Sequence, residues 1–317
     1  MAATDRTVVD YRVVTEACGL LDRSERGKLA LTGSGAKEFL EGQVTNAVES
    51  LHPGQGAYAA FLSPKGKMLG DLRVLDLGDE LFLDTERSAL QELFNMIRRY
   101  RIGFDVELHK RTVERGLLSL IGPEARAVAG ADDLPAQEHA NAPAEVDGTD
   151  VRLVATDVGV DLICDAADTE ALAAALRARG AVDVDEGAAE VVRVEAGRPR
   201  YGVDLDETVI PQEAGLNERA VSFTKGCYVG QETVARLYYR GKPNRHLRGL
   251  RLSAPASAGG ELRLGERVVG KVGTAVVSPR LGPVALALVR REAEPGATVT
   301  VGDGGETAEV VELPFAR

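Results

Sequence analysis

The chain has 317 residues, of which 44% are hydrophobic and 27% charged, and this length and composition are typical of a folded globular protein of about two domains. A net charge of −11 and an aromatic content of 4% argue against a main task of coating nucleic acid or membranes and against a base-stacking platform. The N-terminus lacks the apolar core of a secretory signal, and no apolar stretch approaches the roughly 20 residues of a membrane span; we therefore expect no membrane partner and a cytoplasmic location.

The first third of the chain alternates strand and helix patterns. Strands are predicted over residues 28–31, 57–62, 68–77 and 81–83. Apolar residues at helical spacing predict a helix over 90–97 that ends by Gly103, and a strand follows over 104–108. Ser34 and Thr85 are predicted to cap two helices, since their hydroxyls can accept from unpaired backbone N–H groups.

A second β-α pattern follows the first, whereas the C-terminal part of the chain shows a pattern of short strands without helices. Strands are predicted over 117–121, 151–155 and 160–164, and Asp168 is predicted to cap a helix over 171–179. The apolar residues of 129–150 follow neither a helical nor a strand periodicity, and this stretch is interpreted as a surface loop. From about residue 247, short strands separated by glycines indicate a small antiparallel barrel or sandwich. We expect an α+β body over 1–245 and a C-terminal β-domain over 246–317.

The cysteines and histidines predict neither a disulfide framework nor a metal site. The three cysteines are far apart and form no CxxC pair, and the four histidines share no metal-ligand spacing. Cys18 and Cys164 lie in apolar settings and are assigned to packing.

The segment around Cys227 is the densest in chemistry-bearing residues. Cys227 follows Lys225 and a glycine, and it precedes Gly230 and a predicted helix over 231–239. A helix N-terminus and a nearby lysine would both favour the thiolate form. The alternative is a buried structural cysteine in a turn, but the flanking glycines, the lysine and the following Gln-Glu pair favour a functional role.

Two acidic residues are further candidates. Glu195 is predicted to end a helix that Gly197 and Pro199 terminate. Because a carboxylate is unfavourable near a helix C-terminus, Glu195 either points to solvent or binds a group with paired donors. Asp71 follows Gly70 at the start of a predicted strand, and on pattern alone it is a turn acid rather than a catalytic one.

Together these segments resemble the YgfZ family of folate-binding proteins, which is related to the glycine-cleavage T-protein, an aminomethyltransferase. The string KGCYVGQE at 225–232 is similar to the YgfZ signature. The segments at 19–46, 65–74 and 193–216 resemble the wider T-protein frame, whereas residues 110–185 match no segment of it.

The resemblance implies a cloverleaf fold, with two interlocked α+β portions, the second over about 110–185, and a C-terminal β-barrel around a folate channel. It implies that Glu195 holds the pterin ring of a tetrahydrofolate or its one-carbon derivative, which suits a carboxylate accepting two parallel N–H bonds. Asp71 lies where the T-protein has its catalytic acid, although one acid of the family's pair is a glycine here. Tyr58, Lys225 and Gln231 are further expected folate contacts.

The resemblance also implies partners. YgfZ-like proteins support the assembly or repair of iron–sulfur proteins, including enzymes that thiomethylate tRNA, and Cys227 would be the reactive group. Its thiolate could attack a one-carbon unit, accept a sulfur or ligate a cluster iron. The alternative function is folate-dependent aminomethyl transfer or demethylation, with Asp71 as acid and base.

A third hypothesis is direct docking of RNA or protein on a basic run. Its members are Arg236, Arg240, Lys242, Arg245 and Arg248, and a solvated charged face is the simpler explanation. Residues 219–251 hold eight basic residues and one acid, whereas 131–213 hold 20 acids and six basic residues. The negative net charge thus hides a cationic segment that suits a focused anionic ligand such as the glutamate tail of folate.

Overall fold

Three β-structures form the frame of the protein in a computed structural model that describes residues 5–315. In these residues the strands are β1 (Gly19–Asp22), β2 (Gly27–Thr32), β3 (Gly56–Leu62), β4 (Met68–Asp76), β5 (Leu81–Thr85), β6 (Glu107–Lys110), β7 (Arg115–Ile121), β8 (Asn141–Val146), β9 (Thr149–Ala155), β10 (Gly159–Asp165), β11 (Val182–Asp183), β12 (Arg245–Leu252), β13 (Glu261–Leu264), β14 (Arg267–Ser278), β15 (Gly282–Arg290), β16 (Thr298–Val301) and β17 (Glu306–Val311). The helices are α1 (Asp5–Glu16), α2 (Ala36–Glu41), α3 (Leu90–Tyr100), α4 (Ala125–Ala129), α5 (Thr169–Ala178), α6 (Glu186–Glu195), α7 (Asn217–Ala220) and α8 (Gln231–Arg240), with a short 3₁₀ turn over Ala166–Asp168.

The order of the strands interlocks the two α+β portions. One sheet has the order β3-β4-β5-β2-β6, and the other has the order β11-β1-β7-β10-β9-β8. Because β1 precedes the first sheet in the chain yet pairs with β7, the chain enters the second sheet, builds the first and then returns. The remaining six strands close a barrel in the order β12-β15-β14-β13-β16-β17. The predicted α+β fold with an antiparallel C-terminal barrel is confirmed.

The faces of β4 determine which side chains are available to a site. Successive residues of a strand point to opposite faces. Leu72 and Val74 pack with Phe39, Leu93 and other residues into the core beneath α2 and α3. The intervening Asp71 and Arg73 therefore point to the opposite face, toward the second sheet.

Both predicted caps in the first portion were wrong. The hydroxyl of Ser34 donates to Asp105 at 2.6 Å, and α2 begins two residues later without a side-chain cap. Thr85 is the last residue of β5, and its hydroxyl donates to the carbonyl of Asp71. Both hydroxyls thus bond to residues distant in sequence, which local helix signals do not reveal. The strand predicted over 104–108 begins only at Glu107.

The surface loop predicted over 129–150 was also wrong, because this stretch contains β8. Its proline, Pro143, is tolerated because β8 is the edge strand of its sheet. Asp147 and Gly148, with φ of 48° and 82°, form the two-residue turn into β9. Asp-Gly is a frequent hairpin turn, so the sequence did contain a signal for this strand.

None of the helices among the described residues is long and apolar enough to cross a membrane.

Candidate functional site

A polar cavity of about 210 Å³ lies between the two sheets and α6. Each surrounding element contributes part of its wall. Among the described residues, its wall includes Arg26, Tyr58, Asp71, Arg73, Glu86, Ser119, Glu138, His139, Asp161, Arg193, Ala196, Arg198, Arg200 and Arg219. We call this space the central cavity. Of the six residues proposed from sequence as site residues, it brings together only Tyr58 and Asp71.

Asp71 is buried in the central cavity and paired with Tyr58. The phenol of Tyr58, which projects from β3, donates to Asp71 Oδ2 at 2.7 Å. Burial raises the pKa of Asp71 to about 6, although the hydrogen bond from Tyr58 counteracts part of that rise. A carboxyl group that titrates near neutral pH can both hold and release a proton under physiological conditions.

The interpretation of Asp71 as a turn acid was wrong. The turn lies earlier, where the amide of Gly66 donates to the carbonyl of Ser63 at 2.8 Å, and Asp71 is an interior residue of β4. Gly70 faces the opposite side of the strand, where an added Cβ would lie 2.5 Å from ring atoms of Phe61. A second carboxylate at position 70 would therefore collide with the apolar core instead of facing the cavity.

A network of buried ion pairs lies beside Asp71. Asp84 is completely buried and accepts from Arg26 Nε at 2.7 Å and from Arg73 Nε at 2.6 Å. Arg73 also bonds to Asp161, which in turn accepts from Ser119 Oγ at 2.7 Å. Because these groups come from both sheets, the network holds the two portions together across the cavity floor.

Arg193 joins α6 to the barrel. Its guanidinium donates to Glu190, Asp204 and Thr274, each at 2.7 Å. Thr274 lies in β14, and its amide donates to Asp204 at 2.7 Å. The carboxylates around Arg193 outweigh the effect of its burial and raise its pKa above the usual range. The barrel therefore fixes the helix that forms one wall of the central cavity.

Glu195 lies at the end of α6, as predicted, but its carboxylate lines a second cavity. This cavity shares Asp157, Val158, Val192, Ala196 and Arg198 with the central one. The side chain of Glu195 is only 11% exposed, so the solvent alternative was wrong. The paired hydrogen-bond donors expected for the Glu195 carboxylate are side chains of the protein itself.

The donors to Glu195 come from α1 and the barrel. The Tyr11 hydroxyl lies 3.1 Å from both carboxylate oxygens, Arg280 Nη2 lies 3.1 Å from Oε2, and Ser278 donates to Oε1. A ligand bound by Glu195 would have to share or replace these donors.

The Cys227 segment lies outside both cavities. Cys227 and Gln231 line neither the central nor the second cavity. The thiol of Cys227 is exposed, whereas Cys18 and Cys164 are buried, which confirms their assignment to packing. Cys227 lies three residues before Gly230, the N-cap of α8, and Gln231 is the first residue of that helix.

Lys225 points away from solvent and connects this segment to the wall of the central cavity. Its ammonium donates to the carbonyls of Glu41, Val44 and Asn46 at 2.6 to 2.8 Å. The side chain of Asn46 in turn donates to the carbonyl of Tyr58 at 2.8 Å. Burial lowers the pKa of Lys225 despite the nearby Glu41 carboxylate. Folate could bind Lys225 only by displacing these carbonyl contacts.

Replacing Lys225 by methionine should therefore destabilise the fold. Three carbonyls would lose the ammonium donor, and we expect a loss of about 2 kcal/mol in the free energy of unfolding. Urea unfolding of wild type and Lys225→Met measures this loss. Lys65→Met, at an exposed turn, is the matched control and should unfold at the wild-type urea concentration; equal midpoints for both variants would contradict the structural role of Lys225.

The basic run proposed for docking is largely neutralised by ion pairs. Arg245 binds Glu213 at 2.9 Å, and Arg248 binds Glu312 at 2.8 Å. Arg236 pairs with Glu232 on the exposed face of α8. Most of the run thus stabilises its own surroundings.

Sequence reasoning missed most of the cavity wall. Arg73 could have been found, since it lies two residues after Asp71 and so shares its face of β4. Arg219 has no comparable local signal; its guanidinium lies 5.1 Å from the ring centre of Tyr58 and pairs with Glu138. Within residues 5–315 no group of three His, Cys, Asp or Glu side chains is arranged to hold a metal ion.

The fold and the site define a class of protein: two interlocked α+β portions and a small barrel around a charged central cavity. The sequence of the chain agrees with this class over nearly its whole length. Residues 2–225 match the GCVT N-terminal domain, and residues 245–316 match the glycine cleavage T-protein C-terminal barrel domain. The chain belongs to the glycine-cleavage T-protein family.

Individual relatives agree with this assignment. An aminomethyltransferase of Rubrobacter xylanophilus is 30% identical over 97% of this chain and 86% of its own length. One from Streptomyces avermitilis is 31% identical over 97% of this chain and 89% of its own length. The crystal structure of aminomethyltransferase T of the glycine cleavage system from Bartonella henselae superposes with a TM-score of 0.87 at 25% identity, covering 98% of this chain and 89% of that one.

Proposed function

We propose that the protein binds tetrahydrofolate, or a one-carbon derivative of it, in the central cavity. The observation that carries this proposal is the buried Tyr58–Asp71 pair in a cavity rich in arginine. Folate combines a flat ring with hydrogen-bonding edges and an anionic glutamate tail, so it needs buried polar groups at one end and cations at the other. The resemblance to known family members supports the same ligand.

The two ends of the ligand would meet different residues. Asp71 is suited to exchanging a proton with a ring nitrogen, because its pKa of about 6 lies close to neutral pH. Arg198 and Arg200 retain some exposure, with 31% and 22% of their side chains accessible, and they are suited to the anionic tail. Glu195 would hold the pterin edge from the second cavity, which adjoins the central one.

Binding of tetrahydrofolate to Glu195→Ala tests the role of Glu195. Loss of a charge-assisted pair should weaken binding about 10- to 100-fold, and Glu195→Gln, which keeps one acceptor, should weaken it less. Glu16→Ala, at an exposed position on α1, is the control. Wild-type affinity of Glu195→Ala would remove Glu195 from the site, whereas no binding by the wild type would refute the folate proposal itself.

We further propose that the protein supports the assembly or repair of iron–sulfur proteins through Cys227, as its resemblance to YgfZ proteins implies. The specific observation is the exposed thiol in the KGCYVGQE segment. Lys225 connects this segment through Asn46 to the backbone of Tyr58. This chain of contacts offers a route by which folate occupancy could influence the position of the thiol.

Replacing Cys227 by alanine should lower the activity of client iron–sulfur enzymes while folding and folate affinity stay at wild-type values. An exposed side chain contributes little to stability, so the fold should tolerate the change. The measurement is client enzyme activity in cells that produce only the variant. Full client activity would refute the role of Cys227, and Cys164→Ala, which truncates a buried cysteine, serves as the control for a purely structural effect.

A second candidate function is folate-dependent aminomethyl transfer, and the buried Asp71, whose pKa burial raises to about 6, favours it. This reaction needs an acid–base residue beside the folate and makes no use of Cys227. Purified protein should then turn over a methylamine donor with tetrahydrofolate, and Asp71→Asn should reduce that turnover by about 100-fold or more. Turnover that is insensitive to Asp71→Asn would exclude the candidate.

A further inference from the structure

A groove of about 490 Å³ lies between α3 and the turn that joins β3 to β4, and neither proposed function uses it. We call it the α3 groove. The residues of its wall that matter here are Leu62, Leu69, Met96, Arg98, Arg99 and Val229. Pockets of about 300 to 1,000 Å³ take organic ligands, so a groove of this size has room for a short stretch of peptide.

The α3 groove adjoins the segment that carries the exposed thiol. Val229, which lines the groove, lies two residues after Cys227. The amide of Val229 donates to the carbonyl of Gly42 at 3.2 Å, which ties this segment to the end of α2. Two residues span at most about 7 Å of backbone, so a molecule bound against Val229 lies within reach of Cys227.

The two walls of the α3 groove are fixed by the interior of the protein. Leu93 and Ile97 hold α3 in place, because both are completely buried in the same core as Leu72 of β4. The turn opposite α3 packs against the start of α8: a Cβ on Gly230 would lie 2.6 Å from the carbonyl oxygen of Ser63, so only glycine allows this approach. A groove that is formed before binding loses little conformational freedom when a ligand enters it.

One end of the α3 groove is cationic. Arg98 and Arg99 are exposed in the last turn of α3, and neither forms an ion pair with a carboxylate of residues 5–315. Arg98 lies 5.8 Å from the ring centre of Phe94, a contact that leaves its charge in place. Two full positive charges outweigh the roughly half negative charge of the helix C-terminus. Glu92, an acid that also lines the groove, lies about 10 Å along α3 from Arg99.

We propose that the α3 groove is the docking site for iron–sulfur client proteins and that it takes a client segment in which apolar side chains alternate with carboxylates. The apolar side chains that line the groove would cover those of the segment, and Arg98 and Arg99 would pair with its carboxylates. Docking there brings the client close to Cys227, which a thiol that serves another protein requires. This inference rests on the proposed function of Cys227.

Binding of a synthetic peptide tests the groove without a client. The probe is a short fluorescein-labelled peptide of alternating leucine and glutamate, and fluorescence anisotropy measures its dissociation constant. The wild type should bind it saturably, and Arg98→Glu/Arg99→Glu should bind it at least about tenfold more weakly. The matched control is Arg87→Glu/Arg291→Glu, which makes the same change in net charge at exposed positions outside the groove and should bind like the wild type.

Three results of the peptide experiment would overturn the inference. The first is the absence of binding by the wild type, and the second is equal weakening in the two double variants, since that would show a general effect of net charge. The third is displacement of the peptide by a single-stranded RNA oligonucleotide, which would assign the groove to nucleic acid.

Client activity in cells separates the inference from the proposed function. Arg98→Glu/Arg99→Glu should lower the activity of client iron–sulfur enzymes as Cys227→Ala does, with wild-type folding and folate affinity, and adding Cys227→Ala should cause no further loss. If Cys227→Ala has no effect, the proposed function fails. If Cys227→Ala lowers client activity and the arginine variant does not, the inference is overturned while the proposed function stands. A dimeric wild type that the arginine substitutions convert to a monomer would assign the groove to a second copy of the chain and also overturn the inference.

Discussion

Replacing Asp84 by asparagine should destabilise the protein by about 3 to 5 kcal/mol, the range expected when one partner of a buried ion pair is removed. Asp84 is completely buried and accepts from both Arg26 and Arg73. Asparagine keeps the shape but not the charge, so two buried guanidinium groups would lose their shared counter-ion. Urea unfolding at pH 7.5 measures the effect.

The pH dependence of the same measurement provides a second test. Burial alone would raise the pKa of Asp84, but Arg26 and Arg73 outweigh it and lower the pKa to about 2. The stability that Asp84 contributes is therefore present above its ordinary pKa of 3.8 and is lost as the pH falls toward 2. Asp79→Asn, at an exposed position, should change little; a similar small effect for Asp84→Asn would contradict the structural role of the network.

Replacing Asp71 by asparagine should have the opposite effect and stabilise the protein at neutral pH. The pKa of Asp71 rises from 3.8 in the unfolded chain to about 6 in the fold, chiefly because of burial. The folded state therefore binds the extra proton between these values, and stability falls as the pH rises through this window. Asparagine can still accept from Tyr58, and we expect a gain of about 2 kcal/mol at pH 7.5.

This gain should shrink as the pH approaches 4, where the carboxyl group of Asp71 is protonated in the folded protein. Unfolding curves of wild type and Asp71→Asn at about pH 4.5, 6 and 7.5 measure how the difference in stability changes with pH. Asp132→Asn, at an exposed position, controls for the change in net charge. A difference between wild type and Asp71→Asn that is independent of pH would show that Asp71 is not held with a raised pKa.

The two buried aspartates, Asp71 and Asp84, differ in the groups that surround them. Asp84 lies between two arginines and stabilises the junction of the sheets, whereas Asp71 forms no ion pair with any described residue and accepts a hydrogen bond from the phenol of Tyr58. A carboxylate that is costly to ionise in the fold is one that function, rather than stability, explains. The contrast supports the proposal that Asp71 serves ligand binding, whereas Asp84, in the same strand pair, serves stability.

The alternation of strands and helices and the barrel could be predicted from sequence, because apolar periodicity and glycine-rich turns are local signals. The end of α6 at Glu195 and the start of α8 at Gln231 were predicted for the same reason. The strand β8 was missed because Pro143 and small residues hide its period, although the Asp-Gly turn after it was a usable signal.

The arrangement of the site depended on contacts between distant segments, which no local pattern encodes. From the sequence, Lys225 was expected to be a cation beside Cys227. Its ammonium instead donates hydrogen bonds to carbonyls about 180 residues earlier in the chain. His139 showed no metal-ligand spacing in the sequence, and nothing local indicated that Ala155 and Asn141 hold it in the cavity wall. Charge and glycine spacing identified the segments that carry chemistry, but not the direction in which their side chains point.

Calorimetric titration with tetrahydrofolate, compared between wild type and Ala196→Trp, tests most directly whether folate binds in the central cavity. Ala196 lines both the central and the second cavity, so a bulky side chain there would fill the space between them. We predict saturable binding by the wild type and affinity at least about tenfold weaker in the variant, with no change for Ala174→Trp on the exposed face of α5. Equal affinity of the wild type and Ala196→Trp would contradict binding in this cavity.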